Sequence, residues 1–202
     1  MTLNSLLIPR PSVSARRLLQ LFVALLLSAL AAPHTHAQAH PTASKNMDIS
    51  AFGGIINDNP DYGPQRNTGI AFGASVTRYF GWRVAPSLEA RYTRTTGTYI
   101  NERALMGGLR IQTDFHRFHP YADFLGGVAT IHFDVPPSPG YTDDHAPVYA
   151  YGGGVDIDIV RRFQLKVDYQ AETMSFDRNF SIAPRPLTIG VVYRIPFRPH
   201  VK

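Results

Sequence analysis

The sequence predicts an all-β fold, an eight-stranded antiparallel up-and-down transmembrane β-barrel preceded by a cleaved signal peptide. Apolar and polar residues alternate in short stretches along the chain, which is the pattern of strands with two unlike faces. About 160 residues remain after the signal peptide, enough for eight strands of about ten residues and their loops. Long and short connections alternate between the stretches, as expected when the long loops share one side of a membrane.

The first segment is predicted to be a targeting sequence. Arg16 and Arg17 precede an apolar run over residues 18–32, and Ala37-Gln38-Ala39 forms a small-x-small cleavage site. The run is too short to span a bilayer as a helix, which disfavours the alternative of an anchoring helix. We expect a signal peptide over residues 1–39, a short N-terminal segment over 40–45, the barrel over 46–197 and a C-terminal tail over 198–202.

Removing the signal peptide also removes most of the excess positive charge. Residues 1–39 hold three of the 20 Lys and Arg residues and none of the 15 Asp and Glu residues, so 17 minus 15 leaves about +2. The charge therefore gives no indication of nucleic-acid binding. The chain has no cysteine, which excludes a disulfide framework. Its glycine pairs are not followed by a helix, so neither a nucleotide loop nor a cofactor is predicted.

The strands differ in how clearly they alternate. In Leu187–Phe197 every odd position is apolar, while the even positions are mostly small or polar. Residues 84–93 and 163–172 alternate apolar with charged or polar side chains, a pattern that a half-exposed soluble strand could also show. The fifth stretch, residues 120–133, does not alternate cleanly, and a bulge near Gly126-Gly127 would explain the loss of phase.

Aromatic residues favour a membrane barrel over a soluble lipocalin-like barrel, which also has eight up-and-down strands. The aromatics form two groups about one strand length apart, as expected of belts at two membrane interfaces. Those near the short turns are Tyr79, Phe80, Trp82, Phe115, Phe118, Tyr121, Phe163, Tyr193 and Phe197, and those near the long loops are Tyr62, Tyr92, Tyr99, Phe133, Tyr149, Phe176 and Phe180.

These patterns, with a last strand that carries Tyr193 and closes on Phe197, resemble the small OmpA/OmpX-type outer-membrane barrels. The resemblance covers residues 46–197 and rests on pattern, so it is more specific for fold than for role. It implies localisation in the outer membrane, contact with outer-membrane lipid and lipopolysaccharide, and recognition of the C-terminal strand by the barrel-assembly machinery.

With lipid outside, the polar positions of the strands must face the lumen. The interior of an eight-stranded barrel is just wide enough for side chains to fill it, so we expect a plugged, charge-paired core. The alternative is a narrow pore for small solutes or ions. The predicted lumen network comprises Asp48, Glu89, Arg91, Arg110, Asp156, Asp158, Lys166, Asp168, Glu172 and Arg194.

The long loops offer the candidate contact residues. Exposed aromatic and arginine side chains suit protein binding, so loops three and four are predicted to hold a surface for an extracellular ligand. The residues of that predicted surface are Tyr141, Phe176, Arg178 and Phe180.

An enzymatic barrel, such as a lipid A-modifying enzyme, is a further alternative. Its candidates are His132 with Asp134, and the group Asp143, Asp144 and His145, which the sequence places in a proline-rich loop without rigid support. Omptin-like proteases have ten strands, and eight are counted here. His116 and His119 have no carboxylate cluster nearby in the sequence, so no metal site is predicted. We expect a non-enzymatic protein with a structural or surface-interacting role.

Overall fold

The computed structural model describes residues 47–80, 83–138, 140–177 and 180–197. The predicted signal peptide, N-terminal segment and tail lie outside the described residues, as do Trp82 and Arg178. Nine strands occur within the described residues: β1 Met47–Asp58, β2 Asn67–Arg78, β3 Val84–Thr96, β4 Ile100–Thr113, β5 Phe118–Phe133, β6 Asp143–Val160, β7 Phe163–Asp177, β8 Phe180–Ile182 and β9 Leu187–Phe197.

Eight of these strands form a closed antiparallel barrel in the described part of the chain. Strands β1 to β7 pair in sequence order, and β9 pairs with β7 on one side and β1 on the other, where Ile189 faces Ile55. Strand β8 is short. It pairs with the last residues of β7 and so extends the barrel wall beyond the start of β9, on the long-loop side. The predicted fold class, an all-β antiparallel eight-stranded barrel, is confirmed. None of the described residues form a helix long and apolar enough to cross a membrane.

The barrel is apolar on its outer face and charged in its middle. Leu105 and Val128, on adjacent strands, are 59% and 65% exposed, whereas Lys166 and Asp168 are both 0% exposed. The alternation of side chains along each strand separates the two sets. Large apolar side chains cover much of the outer surface, which favours lipid over water as its surroundings.

Strand β5 keeps one phase along its whole length. Its register with β4 and β6 runs without a shift through Gly126 and Gly127, so the predicted bulge is wrong. The alternation is hidden in the sequence because the inward face changes character along the strand. Asp123 and Tyr121 point into the polar middle, whereas Leu125 and the later inward residues, from Ala129 to Phe133, point into an apolar layer.

The connections are less regular than the sequence predicted. The first long loop, predicted over residues 57–67, covers only 59–66. The second, predicted over residues 95–102, covers only 97–99, because β3 and β4 continue through most of it. The third covers residues 134–142, and β6 begins at Asp143. Asp143, Asp144 and His145 therefore belong to a paired strand, opposite His132, Ile131 and Thr130 of β5. The prediction that they lie in an unsupported loop is wrong.

The second aromatic group does not form a simple belt on the outside of the barrel. Phe133 is buried, and four aromatics near the long loops pack against the same internal apolar cluster, while Tyr92 and Tyr149 are exposed on the outer wall. At the short-turn end Tyr121 is also buried, whereas other rings remain exposed there. The four packed aromatics are Tyr62, Tyr99, Phe176 and Phe180, and the exposed rings at the short-turn end are Phe80, Phe115, Phe118 and Phe163.

Candidate functional site

The middle of the lumen is organised around Arg91, which projects inward from β3. Its guanidinium donates to Glu89 Oε1 at 2.6 and 2.9 Å, to Asp168 Oδ2 at 2.8 Å and to Asp123 Oδ2 at 3.3 Å. Three strands thus contribute carboxylates to one cation. Hydrogen bonds to ionised partners are the stronger ones, and these pairs lie away from water, so they tie β3, β5 and β7 together across the barrel.

Two more cations lie beside this centre, against aromatic rings. Arg110 pairs with Asp156 and with Glu89, and its guanidinium carbon lies 3.6 Å from the ring centroid of Tyr121. Lys166 Nζ lies 3.8 Å from Asp156 Oδ1 and 4.2 Å from the Tyr121 centroid. The Tyr121 hydroxyl donates to Asp168 Oδ1 at 2.6 Å, so one ring serves both sets of charges.

Towards the short-turn end the lumen holds a second, smaller group of charges. Arg194 Nη2 donates to Asp48 Oδ2 at 2.5 Å and to the Tyr79 hydroxyl at 2.8 Å. His119 lies between two carboxylates, with Nδ1 2.6 Å from Asp114 and Nε2 3.1 Å from Asp158. The expectation that no carboxylate cluster lies near His119 is therefore wrong. Even so, no group of three His, Asp or Glu side chains among the described residues is placed to hold a metal ion.

On the long-loop side of Arg91 the lumen contains three carboxylates that form no ion pair with any other described residue. Asp58, Glu102 and Glu172 are all buried around one small cavity, which Thr93 and Thr95 also line. The Thr95 hydroxyl donates to Glu102 Oε2 at 2.9 Å. One oxygen of Asp58 and one of Glu102 lack a hydrogen-bond partner among the described residues.

The third of the interior nearest the long loops is apolar, on the side formed by β4 to β8. This layer was not predicted. Its residues occupy the same face of the strands as the lumen charges, and that face was expected to be polar. Its members are Ile100, Ala104, Met106, Leu125, Ala129, Ile131, Phe133, Ala146, Val148, Ala150, Met174 and Ile182.

Aromatic rings close this layer at the top of the barrel. Phe133 is at the centre, with ring centroids of Tyr62 at 5.3 Å, Tyr141 at 5.5 Å, Phe180 at 6.2 Å and Phe176 at 6.3 Å. Such edge and tilted contacts add to the apolar burial. Tyr141, Phe176 and Phe180 were predicted to form an exposed contact surface. They are half-buried instead and serve as a cover over the interior.

All ten predicted lumen charges project into the barrel. Seven are buried, and the three nearest the short turns, Asp48, Asp158 and Arg194, are partly exposed. Sequence reasoning missed Asp123, because the faces of β5 had not been assigned. It also missed Asp58 and Glu102, which it had placed in loops. Asp58 and Glu102 are an even number of residues from the lumen charges Asp48 and Arg110 on the same strands, and this spacing could have predicted that they face the lumen.

Two small cavities lie among these side chains. Each measures about 10 Å³; one is near the short turns beside Arg194 and Arg110, and one is beside Glu102 and Glu172. Each has room for about one water molecule. Between them lie Arg91, Lys166 and their partners.

A separate polar group lies on the outer face near the long loops. His132 Nδ1 lies 2.8 Å from Asp143 Oδ1, and the Thr130 hydroxyl lies 2.9 Å from His145 Nδ1. Strands β5 and β6 are longer than the nine to eleven residues that cross a bilayer, and this pair stands at their upper ends. The hydrogen bond between His132 and Asp143 raises the pKa of His132 and lowers the pKa of Asp143.

Comparison with known proteins supports the fold. By sequence, the chain matches no protein-family profile and no curated protein. Among solved structures it is similar to Neisserial surface protein A, with a TM-score of 0.50 and 12% identity over 75% of this chain and 97% of that one. It is also similar to the attachment invasion locus protein Ail of Yersinia pestis in complex with the heparin analogue sucrose octasulfate, with a TM-score of 0.50 and 15% identity over 74% and 99% of the two chains.

Proposed function

We propose that this chain, which has the fold of the small eight-stranded outer-membrane barrels, is a closed and non-conducting barrel of the outer membrane that supports a surface-interacting extracellular end. The filled interior is the observation that supports this proposal. A polar charge network occupies its middle and an apolar layer covered by aromatic rings occupies its top. The lumen charges then stiffen the cylinder and do not line a path.

The charge network is well suited to a structural role. Arg91 and Arg110 bring together carboxylates from β3, β5, β6 and β7, so they restrain the barrel cross-section. An ion that followed the axis would have to displace these pairs and then cross the apolar layer around Leu125 and Val148, both 0% exposed. Entry of a bare charge into such a layer is costly.

Planar-bilayer recording tests this proposal against the pore alternative. Purified protein should give no single-channel current, and Arg194→Ala, which opens the lower end of the lumen, should give none either. Steady currents that change with Arg194→Ala would support the pore and contradict the proposal. Removing part of the cover with Phe133→Ala provides a comparison, because the charge network below it would still block the axis.

The proposal includes the absence of catalysis. A hydroxyl nucleophile needs a base and a group that orients the base, held together. Here these parts are divided between two histidines. The Thr130 hydroxyl contacts the His145 ring, whereas Asp143 is hydrogen-bonded to His132, and among the described residues no hydrogen bond joins Asp143 to the His145 ring or a hydroxyl to the His132 ring. Lipid A from cells that overexpress the protein should be unchanged, and a change abolished by His145→Ala would contradict this part of the proposal.

We assign surface interaction to the exposed loop residues, because the aromatic rings near the long loops pack into the barrel interior. Residues 134–138 are exposed, and they follow Phe133 directly. Replacing residues 135–138 by glycine and serine should leave heat-modifiable migration intact and reduce the attachment of expressing cells to glass or to heparin-coated surfaces. Unchanged attachment on both surfaces would contradict a role for this loop.

We also infer that β9, which closes the barrel against β1, is the strand that the barrel-assembly machinery recognises.

A further inference from the structure

Two arginines lie directly opposite each other on the outer face of the barrel. Arg94 of β3 and Arg103 of β4 are register partners, and both side chains are exposed. Residues directly opposite in an antiparallel pair have Cβ atoms about 4.5–5.5 Å apart, and like charges in these positions are destabilising. Neither side chain has an ion pair or a hydrogen bond to any other described residue.

No acidic side chain among the described residues forms an ion pair with either arginine, and Asp134, further towards the long loops, accepts a hydrogen bond from Asn101. Along the same row, Arg94 faces Ile70 of β2 and Arg103 faces Thr130 of β5. The next outward positions above are Thr96 and Asn101, which are register partners. Among the described residues, two adjacent positive charges on the outer wall therefore have no ion-pair partner.

The outward residues on either side of the pair indicate its height relative to the membrane. The next outward positions below are Tyr92 and Leu105, and Leu105 in turn faces Val128. These exposed apolar side chains suit lipid chains, whereas Thr96 and Asn101 above are polar. Since the long loops lie above, the arginines stand at the border of the apolar band with the outer leaflet's headgroups.

The arginine pair is confined to one side of the barrel. Following the register from Arg94 through β2 and β1 to β9 gives only isoleucines, and following it from Arg103 through β5 to β6 gives uncharged threonine and then histidine. The residues at these outward positions are Ile70, Ile55, Ile189, Thr130 and His145.

We propose that Arg94 and Arg103 together bind a phosphate group of an outer-leaflet glycolipid, whose acyl chains lie along Tyr92, Leu105 and Val128. A guanidinium matches two phosphate oxygens with two parallel N–H donors, and two guanidiniums side by side can hold one phosphate between them. The anion also removes the repulsion within the pair. The inference rests on the outward orientation of β3 and β4 and is independent of whether the lumen conducts.

Native mass spectrometry of the mature protein in zwitterionic detergent tests the assignment. Bisphosphorylated lipid A and chemically dephosphorylated lipid A are titrated separately. We expect one saturable lipid per barrel, with the phosphorylated form bound about tenfold more tightly. The double variant Arg94→Gln/Arg103→Gln should lose this preference, and Arg94→Lys/Arg103→Lys should keep part of it because charge remains without the paired donors.

Arg185→Gln is the matched control, since it removes the same charge from an exposed residue near the same end of the barrel. It should bind lipid A as the wild type does, and heat-modifiable migration should show that all variants are folded. Equal affinity of wild type and double variant for the phosphorylated lipid would overturn the proposal. Displacement of lipid A by inositol hexakisphosphate at equal concentration would also overturn it, because the site would then select a soluble anion.

Discussion

Arg91→Met is the substitution that most directly tests the structural role of the lumen network. Methionine keeps much of the side-chain length but removes a cation that contacts Glu89, Asp123 and Asp168 in the barrel interior. The three carboxylates would then lie close together with fewer donors. Arg110 would still reach Glu89, and Gln170 would still donate to the two aspartates, so the loss is partial.

The expected magnitude follows from these contacts. Removing one partner of a buried ion pair costs about 3–5 kcal/mol, and three carboxylates place Arg91→Met near the upper end of that range. Arg185→Met is the control, because Arg185 is exposed and forms no ion pair with any other described residue. A surface substitution of this kind changes the free energy of unfolding by about 0.5 kcal/mol or less.

Urea unfolding in detergent micelles, followed by the fluorescence of the single tryptophan Trp82, gives the free energy of unfolding by linear extrapolation. Adding Asp168→Asn to Arg91→Met should recover part of the loss, since it removes one uncompensated carboxylate. If the free energy of unfolding of Arg91→Met lies within 1 kcal/mol of that of Arg185→Met, in the range typical of surface substitutions, the network is not a main source of stability and the reasoning is refuted.

Two further predictions concern the wall and the rim. Gly108→Ala should destabilise the barrel by about 1–3 kcal/mol in the same urea assay, because an inward β-carbon would collide with the Phe124 carbonyl oxygen. Gly107→Ala is the control and should be close to neutral, because the nearest atom to its added β-carbon would be 3.6 Å away. Equal effects of the two substitutions would contradict this packing. In an NMR titration, Asp143→Asn should lower the pKa of His132. The His132–Asp143 pair contributes stability that is full between their ordinary pKa values of 3.8 and 6.5 and is lost as pH rises through the raised pKa of His132 or falls through the lowered pKa of Asp143. An unchanged titration in the variant would show that the hydrogen bond is absent in solution.

The sequence was informative wherever the two faces of a strand differ in polarity. In β3 and β7 the alternation of Leu88 with Glu89, and of Leu165 with Lys166, predicted both the strand and its orientation. The same argument failed in β5, because Leu125 is as apolar as Phe124 although the two point to opposite sides. Period-two patterns carry no orientation where both faces are apolar.

The position of strand ends and of the aromatic rings could not be predicted locally. Asp143 and His145 follow a proline-rich segment, yet β6 begins there because β5 extends beyond the membrane and offers them backbone partners. Phe133 and Phe176 have the sequence features of interfacial rings, but they pack against each other and against the internal apolar cluster, with ring centroids 6.3 Å apart. Both outcomes depend on contacts between distant parts of the chain.

Lipid-to-protein magnetisation transfer is the most direct test of the claim that lipid surrounds the apolar face. In protein with labelled methyl groups, inserted in nanodiscs with protonated lipid chains, NMR should show cross-peaks from acyl chains to the methyls of Leu105, Val128 and Ile189. It should show none to Leu125 and Val148, which are equally apolar and face inward. Cross-peaks to the second pair but not to the first set would contradict the account.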